Sequence, residues 1–127
     1  MRHPEHDLQR LVVRDVVPIL RPGVVFTAVN PLPGRGKLAN YQGKQLGVTS
    51  GIHDLLFVHD GCSLWIELKA PGGTLSDVQK DLHRRLVEAH RYPNEAYTRS
   101  GTVVVCKSLD EVRMALASHR MTMEKAA

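Results

Sequence analysis

Residues 51–70, GIHDLLFVHDGCSLWIELKA, read as two short apolar strands on either side of His59-Asp60-Gly61. Asp-Gly between such runs is a strong hairpin-turn signal. Side chains alternate between the faces of a strand. In the second run Leu64, Ile66, Leu68 and Ala70 therefore share one face, and Trp65, Glu67 and Lys69 share the other. Asp54 enters the first run, where hairpin pairing brings its carboxylate towards Glu67. Two acids and a lysine on one spot are the minimum equipment for holding a divalent metal and a water beside a phosphodiester. The competing reading is an exposed Glu67–Lys69 pair, worth under about 1 kcal/mol.

Upstream of the hairpin, residues 4–20 read as an opening helix. Pro4 suits a first turn, Glu5 and Asp7 suit its positive end, and Leu8, Leu11, Val12, Asp15, Val16 and Ile19 form a mostly apolar stripe. Pro18 argues for a kink or an early stop. Residues 24–29, VVFTAV, read as a strand. Residues 30–50 read as a long loop, and loops of that length in a compact domain are often functional.

Downstream, Pro71-Gly72-Gly73 makes a turn, and Ser76 with Gln79 forms a capping-box pattern for a helix. Val78, Leu82, Leu86 and Ala89 are its buried line; Lys80, Asp81, Arg84, Arg85 and Glu88 face water or a ligand. Residues 91–101 read as a polar loop. Thr102 to Cys106, TVVVC, is an unalternated apolar run, as expected of a central strand covered on both sides. Ser108 and Glu111 then cap a last helix, and the tail from His119 is expected to fray. The order α-β-β-β-α-β-α predicts an α/β fold, a mixed sheet with helices on its faces.

A chain of 127 residues suits one domain with a single core. Hydrophobic residues at 43% and charged residues at 24% fit a soluble globular protein. No apolar run approaches the roughly 18–20 residues of a membrane span, and the polar N-terminus lacks the character of a secretory signal. Cys62 and Cys106 form no metal-ligand spacing, which fits buried thiols in a reducing cytoplasm. The seven histidines likewise show no zinc-type spacing with cysteines.

A net charge of +4 permits a polyanionic partner. Its distribution says more: no Asp or Glu lies between Val16 and His53, whereas Arg21, Arg35, Lys37 and Lys44 do. Gly34-Arg35-Gly36-Lys37 fails the Walker spacing, so Arg35, Lys37 and Lys44 read as backbone-phosphate contacts on a loop. Tyr41 in the same loop is placed to stack on an unpaired base or to pack. Packing is the default for Trp65.

The arrangement G-x-x-D, strand, E-x-K, glycine turn and S-x-x-Q resembles the virus-type replication–repair nuclease domain (VRR-NUC) of the PD-(D/E)xK nuclease superfamily. The matching stretches are Glu5-x-x-x-Gln9, GVTSGIHD at residues 47–54, ELKAPGGTLSDVQ at residues 67–79 and VVVCKSLDE at residues 103–111. The resemblance implies a restriction-endonuclease-like core (αβββαβ) and a Mg²⁺- or Mn²⁺-dependent phosphodiesterase. It implies metal ligation by Asp54, Glu67 and the Leu68 carbonyl, with Lys69 serving the attacking water. It also implies that Glu5 reaches the site from the first helix and Gln79 from the later one. Small stand-alone members, typical of phages and bacteria, look like homodimeric nucleases that cut branched DNA such as four-way junctions.

Two positions depart from the family pattern. His53 stands where the family has proline, and reads either as an ordinary residue at the strand start or as a phosphate contact. Lys107 follows Cys106 where an arginine is frequent. Gln79 has its own double reading, as cap or as site residue, and Glu5 alone suits a first-turn dipole. The expectation is therefore a metal-dependent DNA endonuclease. The alternatives are a catalytically silent nucleic-acid-binding module on the same fold and a flap- or restriction-type nuclease.

Overall fold

The protein is described by a computed structural model covering residues 4–29, 47, 49, 52–90 and 101–123. Helix α1 (Pro4–Leu11) leads into a π turn (Val12–Val16) and a 3-10 turn (Val17–Ile19). Strands β1 (Val25–Ala28), β2 (Leu55–His59) and β3 (Cys62–Leu68) follow. Helix α2 (Asp77–Ala89), strand β4 (Gly101–Cys106) and helix α3 (Leu109–Ser118) complete the order. The strands form one four-stranded sheet, β1-β2-β3-β4, antiparallel except for the parallel β3/β4 pair. A parallel pair requires a crossover, and α2 supplies it. This is the expected α/β architecture, a mixed sheet flanked by helices, compatible with a restriction-endonuclease-like core.

The hairpin follows its turn chemistry. His59 pairs with Cys62 across Asp60 and Gly61, whose φ angles are 50° and 75°. Two consecutive positive φ values make the turn whose twist matches that of the flanking strands. Leu64, Ile66 and Leu68 are buried on one face, as the alternation predicts, with Leu55 and Phe57 from β2 and Cys106 from β4. Val12 and Val16 of the π turn, Val112 and Leu116 of α3, and Met121 join them in the core. Phe26 of β1 pairs with Phe57 at a ring separation of 4.9 Å, extending the apolar layer to the sheet edge. The opposite face of β3 lies under α2.

Three expectations are corrected. The opening helix is not one α-helix over residues 4–20. Pro18 has no N–H and its ring would collide with the carbonyl four residues back. The Val17 N–H instead reaches back to Val12, widening the turn, and the chain then tightens into the 3-10 turn that contains Pro18. Strand β4 is not central: it ends the sheet order among the described strands, and its apolar run reflects cover on its faces.

The third correction concerns the tail, which does not fray at His119. Arg120 takes a left-handed φ of 58°, and Met121 N–H donates to Leu116 O at 2.9 Å while Arg120 N–H donates to Ala117 O. This is a Schellman closure, and it turns Met121 into the core. Leu20 and Thr122 then form an isolated bridge, with Arg21 N–H on Met121 O at 2.8 Å and Arg21 Nε on Thr122 O at 2.9 Å. The last helix also departs in detail. Ser108 Oγ accepts from Glu111 N–H as predicted, but the Glu111 carboxylate accepts from Lys107 N–H instead of closing the box on Ser108.

Candidate functional site

The β2/β3 ladder ends at Leu55 opposite Ile66, so its next step sets Asp54 across from Glu67. Asp54 continues the ladder with its side chain: Oδ2 accepts from Leu68 N–H at 2.8 Å, while its carbonyl accepts from Val29 N–H at 2.8 Å. The Asp54 carboxylate is thereby fixed beside the Leu68 main chain. Lys69 follows, half-buried, its own N–H donating to Cys106 O at 3.0 Å. Ala70 and Gly73 close a turn at 2.8 Å, with Gly72 at a φ of 81°. Proline then glycine at the two inner positions suits a type II turn. That turn ends the strand just after Lys69 and sends the chain to α2.

Glu67 is only 3% exposed. A buried carboxylate is costly unless it is paired and hydrogen-bonded. One amide of Gln79 both closes the cap and reaches Glu67. Its Oε1 accepts from Ser76 N–H at 2.9 Å, closing the capping box, and its Nε2 donates to Glu67 Oε1 at 3.0 Å. Ser76 Oγ reciprocates by accepting from Gln79 N–H at 3.2 Å. The cap therefore aims the amide.

On the other side of Glu67, His53 Nδ1 lies 3.9 Å from Oε2. His53 is wholly buried, and its Nε2 hydrogen-bonds to His83 Nδ1 at 3.0 Å with the two rings stacked at 25°. Of its two readings, burial fits His53 as a packed residue at the strand start, with no surface offered to a phosphate. His83 went unread as a site residue. Its signal was the spacing of four from Gln79, which puts both on one face of α2. A third polar contact ties the far end of α2 to β3. His90 Nδ1 donates to Leu86 O at 2.6 Å, and its Nε2 meets Ser63 Oγ at 2.9 Å.

Among the described residues, Glu5 does not join Asp54 and Glu67 in a three-ligand cluster. Glu5 is half-buried in the first turn of α1, a helix that packs against β3. Arg35, Lys37, Tyr41 and Lys44 lie outside the described residues. Trp65 is half-buried on the Glu67 face. On the outer side of α2, Arg84 pairs with Asp81 and Glu88, and Arg85 with Asp81, all exposed.

Among the described residues, no three His, Cys, Asp or Glu side chains converge as metal ligands. The oxygen donors at this end of the sheet are Asp54, Glu67 one ladder step away, and the adjoining main chain. They are hard oxygen donors, a set that suits a cation retaining several waters. Among the described residues no helix is long and apolar enough to cross a membrane. No protein-family model, no curated protein and no solved structure matches this chain.

Proposed function

We propose that this chain is a metal-dependent DNA endonuclease of the VRR-NUC type, hydrolysing phosphodiester bonds in branched DNA. The observation that carries the reading is the fixed pair of acids at one end of the sheet. Asp54 is held on the Leu68 main chain, and Glu67 is held by Gln79 one ladder step away. Two facing carboxylates repel unless a cation lies between them. The sequence resemblance supplies the reaction type.

In this reading Asp54, Glu67 and the Leu68 carbonyl hold Mg²⁺ or Mn²⁺, with Glu5 approaching from α1. When bound, the ion neutralises the acids and lowers the pKa of a coordinated water. Gln79 keeps Glu67 in one orientation. Lys69 stabilises charge developing on the scissile phosphate. Arg35, Lys37 and Lys44 contact backbone phosphates, and Tyr41 stacks on an unpaired base. A homodimer offers the wider footprint that a junction requires, and a cytoplasmic setting fits the reduced thiols.

The competing reading is a catalytically silent nucleic-acid-binding module on the same fold. The test is cleavage of duplex, flap, splayed-arm and four-way-junction DNA with Mg²⁺ or Mn²⁺. Lys69→Ala and Asp54→Asn are expected to abolish cleavage while leaving a folded protein. Full activity of either variant, or of the native chain in excess EDTA, removes the mechanism. Tight DNA binding without Mn²⁺ heat in calorimetry selects the silent module.

A further inference from the structure

We infer that His83 is a positioning residue for Glu67, acting through His53; the inference rests on the nuclease reading for its consequence but not for its geometry. The chain of contacts is Glu67 Oε2, His53 Nδ1 at 3.9 Å, His53 Nε2, then His83 Nδ1 at 3.0 Å. The hydrogen bond between two ring nitrogens needs one donor and one acceptor. A carboxylate oxygen only accepts, so the favourable hydrogen on His53 is the one on Nδ1, facing Glu67. That choice leaves His53 Nε2 as the acceptor and makes His83 Nδ1–H the donor. With His53 neutral, the acid at the end of the chain sets the direction of both hydrogens.

The arrangement explains why His53 stands at a buried position one residue before Asp54. Its ring fills the space behind Glu67 with an oriented N–H, and His83 fixes which nitrogen carries the hydrogen. Outer partners of this kind set the orientation of ligating groups, and their loss typically weakens metal binding or activity about 10–100-fold. Gln79 thus bonds one oxygen of the carboxylate directly, and His83, one turn further along α2, bonds the ring that stands 3.9 Å from the other, beyond hydrogen-bond distance.

The decisive measurement is nitrogen NMR of the histidine rings in the metal-free full chain, with resonances identified by single substitutions. The expected result is His53 carrying its hydrogen on Nδ1 and accepting at Nε2. In His83→Leu that preference is expected to dissolve into a mixture of tautomers, while the circular dichroism stays native. His83→Asn, which keeps an N–H donor near the Nδ1 position, is expected to restore it. A hydrogen on His53 Nε2 in the native chain, or an unchanged His53 in His83→Leu, overturns the inference.

Mn²⁺ calorimetry reads the consequence. His83→Leu is expected to bind roughly tenfold more weakly, with His83→Asn returning towards the native value. Equal affinity in all three overturns the positioning role. If the native chain binds no Mn²⁺, the metal-dependent reading falls, and the tautomer result alone decides whether His83 orders His53 against Glu67.

Discussion

Gln79 Nε2 donates to Glu67 Oε1 at 3.0 Å while the same amide's Oε1 accepts from Ser76 N–H at 2.9 Å. One side chain therefore closes the start of α2 and anchors the buried acid of β3. The two jobs can be separated. Gln79→Glu keeps an acceptor for Ser76 N–H but replaces the donor to Glu67 with a second carboxylate. It is expected to retain the helix cap and lose cleavage. Ser76→Ala removes the hydroxyl partner of Gln79 N–H instead, and is expected to cost about 1 kcal/mol of stability with activity retained. Urea denaturation beside a cleavage assay reads both. Equal damage to activity in the two variants would mean that the cap, not the amide–acid contact, is what matters.

Asp54 is expected to show opposite signs in stability and activity. Asp54 stands one ladder step beyond the Leu55–Ile66 pair, at the level of Glu67, and its carboxylate accepts from Leu68 N–H. Asp54→Asn keeps an oxygen for that N–H and removes the repulsion between acids, so without divalent ions it is expected to be at least as stable as the native chain. Asp54→Ala strands the Leu68 N–H and is expected to cost about 1–3 kcal/mol. Thermal unfolding in EDTA compares them. A strongly destabilised Asp54→Asn would argue that charge at this position is structural.

Much of this was legible because its causes are local. Asp60-Gly61 dictates a two-residue turn, and that turn fixes a register in which Asp54 meets Glu67. Ser76 and Gln79 announce a helix start from their spacing alone. What was illegible depends on distant partners. The side chain of His53 is defined by His83, thirty residues away, and by burial under a helix whose docking no short-range pattern encodes. The closing residues looked disposable because one methionine makes no periodicity, yet Met121 is fully buried against elements from the start of the chain. Pro18 gave notice of a break, but not that the break would be a π turn followed by a 3-10 turn.

The Schellman closure after α3 offers a stabilising substitution. Arg120 holds a φ of 58°, a region that costs an L-residue about 1–2 kcal/mol and costs glycine nothing. The side chain is exposed, so nothing packed is lost on its removal. Arg120→Gly is expected to raise stability by about 1 kcal/mol, less than the full strain because glycine also frees the unfolded chain. Met121→Ala should do the reverse, costing about 2–5 kcal/mol for a fully buried side chain. Midpoints of urea unfolding test the pair; a neutral Met121→Ala would contradict the tethered tail.

Cys106 supplies a pH dependence whose direction is fixed. It is 2% exposed on β4, and burial, reinforced by the Glu111 carboxylate, pushes its thiol up from 9.0 to about 12. Between those values the folded chain keeps a proton that the unfolded chain releases, so rising pH favours unfolding. The contribution is fully present below pH 9 and is lost as the pH climbs towards about 12. Other groups also change charge at alkaline pH, so the native chain must be compared with Cys106→Ala. Stability measured from pH 8 to pH 10.5 is expected to fall more steeply in the native chain than in the variant, whatever the variant's absolute loss from the vacated space. The same burial should keep the thiol unreactive towards a disulfide reagent at about pH 8 until denaturant is added. Parallel slopes, or rapid labelling of Cys106 in the folded chain, would place this thiol in contact with solvent and undo the argument.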